Sequence, residues 1–577
     1  MNIKYTISFP EPHTHYAEVE MHISDIEVKE LHLKMAVWSP GSYLIREFQK
    51  NIDFVEWCSV SDSQFTDFKR VEKIDKNTWN INLQNENKII IHYKTYCFEE
   101  SVRTNFVDEA HALINGAPTF LYLAGFENYA VDVEIIPHQY WKNISTSLPQ
   151  KDNNKWLRTA ANINELIDSP IEIGNHVSYF FTAATISHEL AIYGESNCNN
   201  EKLIADLKAI IEVETNIFGS HPCKEYVFII HNTEKSFGGL EHLHSSVNHI
   251  IRWSYDVKNY QRPISLLAHE YFHLWNVKRI RPFELSSFNY NEENYTKLLW
   301  FFEGVTSYYD DYICYRAGVT KQDDFLDIVA QNINTVFNTA GIQTQSLAEA
   351  SFDTWLKYYR QNENSINSQI SYYTKGSIVA MLLDFIILEA TDGERNIDDV
   401  MHLLYQKYLT KPEIGFTEKE IQATFETIAN QSLQAFFDDF IYGVEPINIE
   451  TYFEKIGIQL KNTTIENNIY LGIETQYKER KLVVTKVEKG FGAYDGGLNV
   501  DDEIIAIDNF RVIDDFKKIY AHKNINDTID VLVSRKGILK TIKIELTNDK
   551  KLNYKLEKLE NSTEKEQKLL KKWLHLK

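Results

Sequence analysis

His269 and His273 stand four residues apart in His269-Glu270-Tyr271-Phe272-His273, with Glu270 beside the first of them. On a helix this spacing places both imidazoles on one face, a turn apart, where they can grip a single ion. Glu270 then points at any water the ion binds. The chemistry such a pattern performs is zinc-assisted hydrolysis with the glutamate as general base. Two half-buried structural histidines are the competing reading of the pentapeptide. A catalytic zinc takes three protein ligands and keeps a fourth position for water, so a third ligand is expected downstream. Glu303, in Trp300-Phe301-Phe302-Glu303-Gly304-Val305, is the strongest candidate. An ionised carboxylate in so apolar a helix is costly without a partner. A metal supplies one; an ion pair with Arg279 or Arg281 is the alternative. The oxyanion formed during hydrolysis needs one more donor, and a tyrosine hydroxyl suits because it stays protonated at pH 7. With 33 tyrosines in the chain, composition selects none.

The elements that must position these residues come from a long, well-packed chain. Its 577 residues exceed what one core usually supports, so several domains are expected. Hydrophobic content of 43% and aromatic content of 13% exclude global disorder. Net charge is −22, from 60 Lys+Arg against 82 Asp+Glu, the wrong sign for a nucleic-acid binder and for attraction to anionic membranes. The first ten residues read as a strand, not a signal peptide. The most apolar stretch, 378–388, is short and broken by Asp384, so no membrane span is expected. Cys58, Cys97, Cys198, Cys223 and Cys314 show no zinc-knuckle or redox spacing; they read as reduced thiols of a cytoplasmic protein.

Residues 1–170 alternate apolar and polar positions in short runs, as in Ala17-Glu18-Val19-Glu20-Met21-His22-Ile23, which predicts an antiparallel β-sandwich. Trp38 to Phe48 is its one distinctive segment, a turn followed by a strand or short helix. Beyond it, strands are predicted over 181–193, 225–230 and 240–251, and helices over 201–218, 264–278, 295–317, 321–339 and 374–390, with more to about 442. A β half followed by an α half, with HExxH on the joining helix, is the organisation of thermolysin-like peptidases. Strands return from Glu466 to Asn548. This stretch resembles a PDZ module of the bacterial type, with Tyr470-Leu471-Gly472-Ile473 in the place of its carboxylate-binding loop; a rigid spacer is the alternative use. The tail, 551–577, carries Thr563 and Glu566 at capping-box spacing, with Leu569, Leu570, Trp573 and Leu574 on one side of the helix they would start.

Four segments together resemble the M61 family of glycyl aminopeptidase-like zinc peptidases. They are Trp38 to Phe48, Gly238-Gly239-Leu240-Glu241-His242, His269 to Pro282, and Glu303-Gly304-Val305-Thr306-Ser307-Tyr308-Tyr309. The resemblance covers essentially the whole chain. It implies a multidomain α+β protein: an N-terminal β-sandwich-like domain (1–170), a thermolysin-like catalytic domain (171–450), a PDZ domain (451–550) and a helical tail (551–577). It implies one Zn2+ on His269, His273 and Glu303, with Glu270 as base. It also implies release of N-terminal residues, glycine or other small ones, from peptides with a free amino terminus.

Similarity to the related M1 aminopeptidases adds two positions. Their Tyr-x-Lys-Gly element matches Tyr373-Thr374-Lys375-Gly376, which makes Tyr373 the expected oxyanion donor and Tyr372 the fallback. Their Gly-x-Met-Glu-Asn element resembles Gly238-Gly239-Leu240-Glu241-His242, which makes Glu241 the anchor for the substrate's α-ammonium. The glycines would admit close approach of substrate backbone. Departures are His242 for Asn and Leu240 for Met; His242 and His244 read as packed or solvated in preference to a second metal site. Thermolysin-like enzymes often carry an acid four residues past the glutamate ligand to orient a histidine. Here that position is Ser307, with Asp310 and Asp311 nearby, so either another residue or a backbone carbonyl has that task. The alternatives to an aminopeptidase are an endopeptidase to which the PDZ module feeds C-terminal peptides, and an inert peptide-binding scaffold.

Overall fold

Alternation of apolar and polar side chains drives the first part of the chain into sheets, as strand Tyr16–Ser24 shows by burying every second residue. The computed structural model describes residues 1–61, 64–65, 67–465, 468–513 and 516–576. Glu466 and Lys577, where the PDZ stretch and the tail were expected to begin and end, lie outside them. The chain forms two units. The first comprises Met1–Tyr295, Tyr309–Thr320 and Met401–Phe416; the second comprises Thr296–Tyr308, Lys321–Val400 and Thr417–Lys577.

The first unit opens with a nine-stranded sheet and two four-stranded sheets. Pairing in them is antiparallel except between Asn2–Ser8 and Val131–Ile136, which run parallel with Ile3 opposite Val131. The expected sandwich is thus β-rich as read, with one parallel pair that alternation alone cannot signal. Trp38 to Glu47 forms neither a strand nor an α-helix; it is a turn closed by a Ser39–Ser42 bridge, and a short 3-10 helix, Phe48–Asn51, follows it. A five-stranded sheet comes next. Its parallel strands Ile186–Tyr193, Glu225–Thr233 and Ser245–Ile251 are flanked by Val177–Ala183 on one side and by Gly238–Glu241, an edge strand, on the other.

Two of the expected strands are hairpins. The 181–193 run folds back at Ala184 and Thr185, both at positive φ (46° and 66°), with no Gly or Asn to announce the turn. The 240–251 run turns between Glu241 and Ser245, where the His242 N–H donates to the Ser245 carbonyl at 2.8 Å. Helix Asn200–Phe218 starts as read, with the Asn199 side chain accepting from the Lys202 N–H. The HExxH helix is Gln261–Phe272, shorter than the expected 264–278 run, because the chain turns at Leu274–Asn276 into an irregular segment.

The second unit holds the remaining helices, the PDZ strands and the tail. Helix Thr374–Ala390 is buried on nearly all sides; its Asp384 accepts from the Tyr308 hydroxyl at 2.8 Å and from the Ile397 N–H at 2.9 Å. No helix among the described residues is long and apolar enough to cross a membrane. The PDZ sheet runs in the order Ile473–Lys478, Lys481–Val487, Glu503–Ile507, Thr528–Arg535, Ile538–Glu545, which leaves Ile473–Lys478 at an edge. The tail helix Glu564–Trp573 begins at the expected Thr563/Glu566 capping box. Trp573 is buried against Phe385, and its indole N–H donates to the Tyr308 hydroxyl at 2.9 Å, so the apolar face of the tail is docked. All five cysteines are unpaired.

Candidate metal centre and active site

His269 lies in the last turn of the HExxH helix and His273 is its C-cap residue; their rings sit edge to face with centroids 4.6 Å apart. The second atom of each ring is held. His273 Nδ1 lies 2.7 Å from the Asn276 carbonyl, which can only accept, so that nitrogen carries the proton and Nε2 presents its lone pair. His269 Nδ1 lies 3.0 Å from Asp310 Oδ2 and is oriented in the same sense. Both solutions left open by Ser307 are therefore in use, a carboxylate for one histidine and a backbone carbonyl for the other. Asp310 stands seven residues beyond Glu303, which is two helical turns; that spacing was the signal available in the sequence.

Glu303 is buried at the end of helix Leu299–Phe302. Helical hydrogen bonding passes through it: its N–H reaches the Leu299 carbonyl and its own carbonyl accepts from the Ser307 N–H, both at 2.8 Å. The helical run that continues as Gly304–Arg316 therefore carries Glu303 and Asp310 on one side. Beside Glu303 in the same unit, Gly304 packs on Gly376, where an added Cβ would come within 2.6 Å of the Gly376 Cα. This close crossing brings the start of helix Thr374–Ala390 to the glutamate. Burial, and next to it the Glu303 charge, push the Tyr373 hydroxyl well above its ordinary pKa, so it keeps its hydrogen at neutral pH. The Tyr372 hydroxyl is engaged with Thr354 Oγ1 at 2.9 Å, and the two tyrosine rings stack at 4.7 Å.

The edge strand Gly238–Glu241 brings the remaining predicted residues to the HExxH helix. Gly238 has φ of 146°, a conformation that favours glycine. Gly239 has a different reason: a Cβ there would lie 2.1 Å from Oε1 of Glu270. The close approach that Gly239 permits is that of Glu270. Glu241 is 4% exposed, and its Oε1 has no hydrogen-bond partner. Carboxylate oxygens of Glu241 and Glu270 and a ring nitrogen of His273 all lie within 4.8 Å of one another. Gly41, at φ of 85° in the distinctive turn, has Glu241 where its Cβ would be, 2.5 Å from Oε1. That is why the turn needs a glycine, and it gives the segment Trp38 to Phe48 a place at the site.

The segment after HExxH is a brace. Lys278 Nζ donates to Asp168 at 3.0 Å, and His242 Nδ1 shares the same carboxylate at 2.9 Å. Burial alone would raise the pKa of Asp168; Lys278 and His242 hold it below the usual value instead. His242 is thus packed, as expected. Arg279 donates to the carbonyls of Leu243 and Leu274, and Arg281 to those of Pro412 and Glu413. Behind the helix the Tyr271 hydroxyl lies 2.8 Å from His188 Nε2 and 2.6 Å from His221 Nε2. Neither histidine was singled out in the sequence, since neither has motif spacing.

Comparison with known proteins finds likeness along most of the chain. The chain matches the family M61 glycyl aminopeptidase over residues 262–379, the peptidase M61 N-terminal domain over 4–175 and the PDZ domain over 469–546. No curated protein matches it. Among solved structures it is similar to an aminopeptidase N family protein from Idiomarina loihiensis, with 28% identity and a TM-score of 0.91 over 99% of this chain and 100% of that one. An M1 zinc metallopeptidase from Deinococcus radiodurans has 10% identity and a TM-score of 0.47, over 76% of this chain and 93% of the other.

Proposed function

We propose, on the premise that this chain belongs to the M61 family of metallopeptidases, that it is a zinc-dependent aminopeptidase releasing small N-terminal residues, glycine foremost. His269, His273 and Glu303 would hold one Zn2+. The donor set fits: two Nε2 lone pairs fixed by bonds at Nδ1, and a buried carboxylate on the helical run that carries Asp310. Bound zinc would supply Lewis acidity, which makes water a nucleophile near neutral pH and polarises the scissile carbonyl.

The protein's own residues do the rest. Glu270 accepts the proton of the attacking water and passes it to the leaving amine. Tyr373 donates its hydroxyl hydrogen to the oxyanion. Glu241 receives the substrate's α-ammonium, which fixes the scissile bond one residue from the amino terminus. The observation that carries the exopeptidase reading is the buried, unpartnered Oε1 of Glu241 close to Glu270. Two buried carboxylates repel, and a bound ammonium offsets that charge while supplying the missing donor.

The test compares peptides with free and acetylated amino termini. Acetylation is expected to lower kcat/KM by about two orders of magnitude or more, the loss of one buried charge-assisted contact and of alignment. Equal rates would refute the aminopeptidase reading. The edge strand Ile473–Lys478 supports a second role for the PDZ module, pairing with an extended C-terminal peptide whose carboxylate sits at Tyr470-Leu471-Gly472-Ile473. Cleavage mapping on an unfolded protein separates the readings, since internal cuts are the mark of a PDZ-fed endopeptidase. Turnover unchanged in Glu270→Gln would remove the base assignment.

A further inference from the structure

Away from the residues placed in the reaction, the first unit buries a second group of ligand-type side chains. His111 lies on strand His111–Ile114 and Glu172 on the antiparallel neighbour Ile171–Gly174. His231 and His249 face each other across the parallel strands Glu225–Thr233 and Ser245–Ile251, their rings stacked at 5.2 Å. His111 Nδ1 is 2.8 Å from one oxygen of Glu172, and His231 Nε2 is 2.9 Å from the other. All three side chains are at most 6% exposed. Three strands from two sheets thus deliver two imidazoles and a carboxylate to one point.

Hydrogen bonding by itself accounts for Glu172, since each oxygen has one imidazole. It does not account for the nitrogens around it. His176 Nδ1, 4.0 Å from Glu172 Oε1, and His249 Nε2 are both buried without a hydrogen-bond partner. Leaving such groups unsatisfied is unfavourable, so the cluster's own bonds do not account for all of its polar atoms. The group also has an entrance. His111, His231 and His249 line a cavity of about 350 Å³ whose wall includes Glu100, Asp108 and Glu195, with Arg252 as the cation among its lining residues. The negative balance of this lining favours a cation.

We propose that His111, Glu172 and His231 form a second site for a divalent transition metal of the Zn2+ class, reached through this cavity. Two imidazoles with one carboxylate are borderline donors that suit such ions better than Ca2+ or Mg2+, which take oxygen. One ligand atom from each residue lies within 4.8 Å of the others, the spread that one ion can gather. Donors at about 2.1 Å from a tetrahedral ion stand roughly 3.4 Å apart, so loading opens each of the two histidine–carboxylate pairs by about half an ångström. Tyr193 stacks on His111 with centroids 3.5 Å apart and fixes its ring plane.

Metal content of the full-length protein, stripped by chelator, reloaded with Zn2+ and dialysed, tests this. The wild type should hold about two equivalents, and His269→Ala and His231→Gln about one each. The double variant should hold none. Co2+ loaded into His269→Ala should give visible absorption that His231→Gln removes. A wild type with one equivalent and a His269→Ala variant with none would overturn the proposal and leave the cluster a hydrogen-bonded network. Should His231→Gln fail to fold, His269→Ala alone decides by its one equivalent or none. Failure of the zinc assignment at the peptidase site reads differently, as metal retained in full by His269→Ala with loss only in His231→Gln.

Discussion

The carboxylate of Glu270 occupies the space that a side chain on Gly239 would fill, with Oε1 only 2.1 Å from the position of a Cβ. The edge strand and the HExxH helix thus meet at a residue that has to be glycine for this carboxylate to stand where it does. Gly239→Ala pushes the carboxylate aside without touching a proposed metal ligand. We expect kcat to fall about 100-fold, the scale of an ångström-sized misplacement. Zinc content should stay at the wild-type level, and a variant of full activity would show that Glu270 is not the base.

Tyr372 and Tyr373 are adjacent and stacked, yet the proposed mechanism gives them different work. Tyr372 is bonded to Thr354, so Tyr372→Phe should cost about 1 kcal/mol of stability and leave kcat within a few-fold. Tyr373→Phe removes the proposed oxyanion donor and should lower kcat about 100- to 1000-fold. KM should change little, because the bond forms in the transition state. Steady-state kinetics on both variants checks the pair; the reverse pattern would move the role to Tyr372.

Acid should weaken the fold through the histidines behind the HExxH helix. Burial, then the neighbouring His221, lowers the His188 pKa to about 4, and burial also lowers His221 to about 4. Each is neutral in the fold and takes a proton more readily when unfolded. The stability this contributes is whole above the ordinary histidine value of about 6.5 and is lost as pH falls toward 4. Between pH 7 and 5 we expect a loss of roughly 2 kcal/mol, discounted for the partial exposure of His221. Unfolding midpoints in urea measure it. His221→Gln should flatten the slope, and a midpoint constant over this range would contradict the account.

Much of this was legible in the sequence because it depended on local spacing. His269, Glu270 and His273 need only helical periodicity to share a face, and the capping box at Thr563 needs only two side chains three residues apart. Alternation marked the N-terminal strands. Hairpins hid where the turn lacked a turn residue, as at Ala184-Thr185, since positive φ there is imposed by the sheet on either side. The parallel pairing of Asn2–Ser8 with Val131–Ile136 was invisible for another reason: partners over a hundred residues apart leave no local pattern. Asp310 was readable as a neighbour but not as the partner of His269. The cluster of His111, Glu172 and His231 left no trace, because it is assembled from three distant strands.

Gly41 and Glu241 give the most direct test of substrate anchoring. A Cβ on Gly41 would lie 2.5 Å from Glu241 Oε1, the atom proposed to receive the α-ammonium, and Gly41 also holds φ of 85°. Glu241→Gln removes the charge but keeps the shape, so it should raise KM for peptides with a free amino terminus about 10- to 100-fold, the worth of a charge-assisted hydrogen bond. Peptides with a blocked terminus, already poor, should be unaffected, so the preference for a free amine should shrink by the same factor. Gly41→Ala keeps the charge but displaces it. Its effect should follow that of Glu241→Gln in direction, with metal content unchanged. If Glu241→Gln lowers hydrolysis of free and blocked peptides equally, the glutamate supports the site's architecture and does not read the amino terminus.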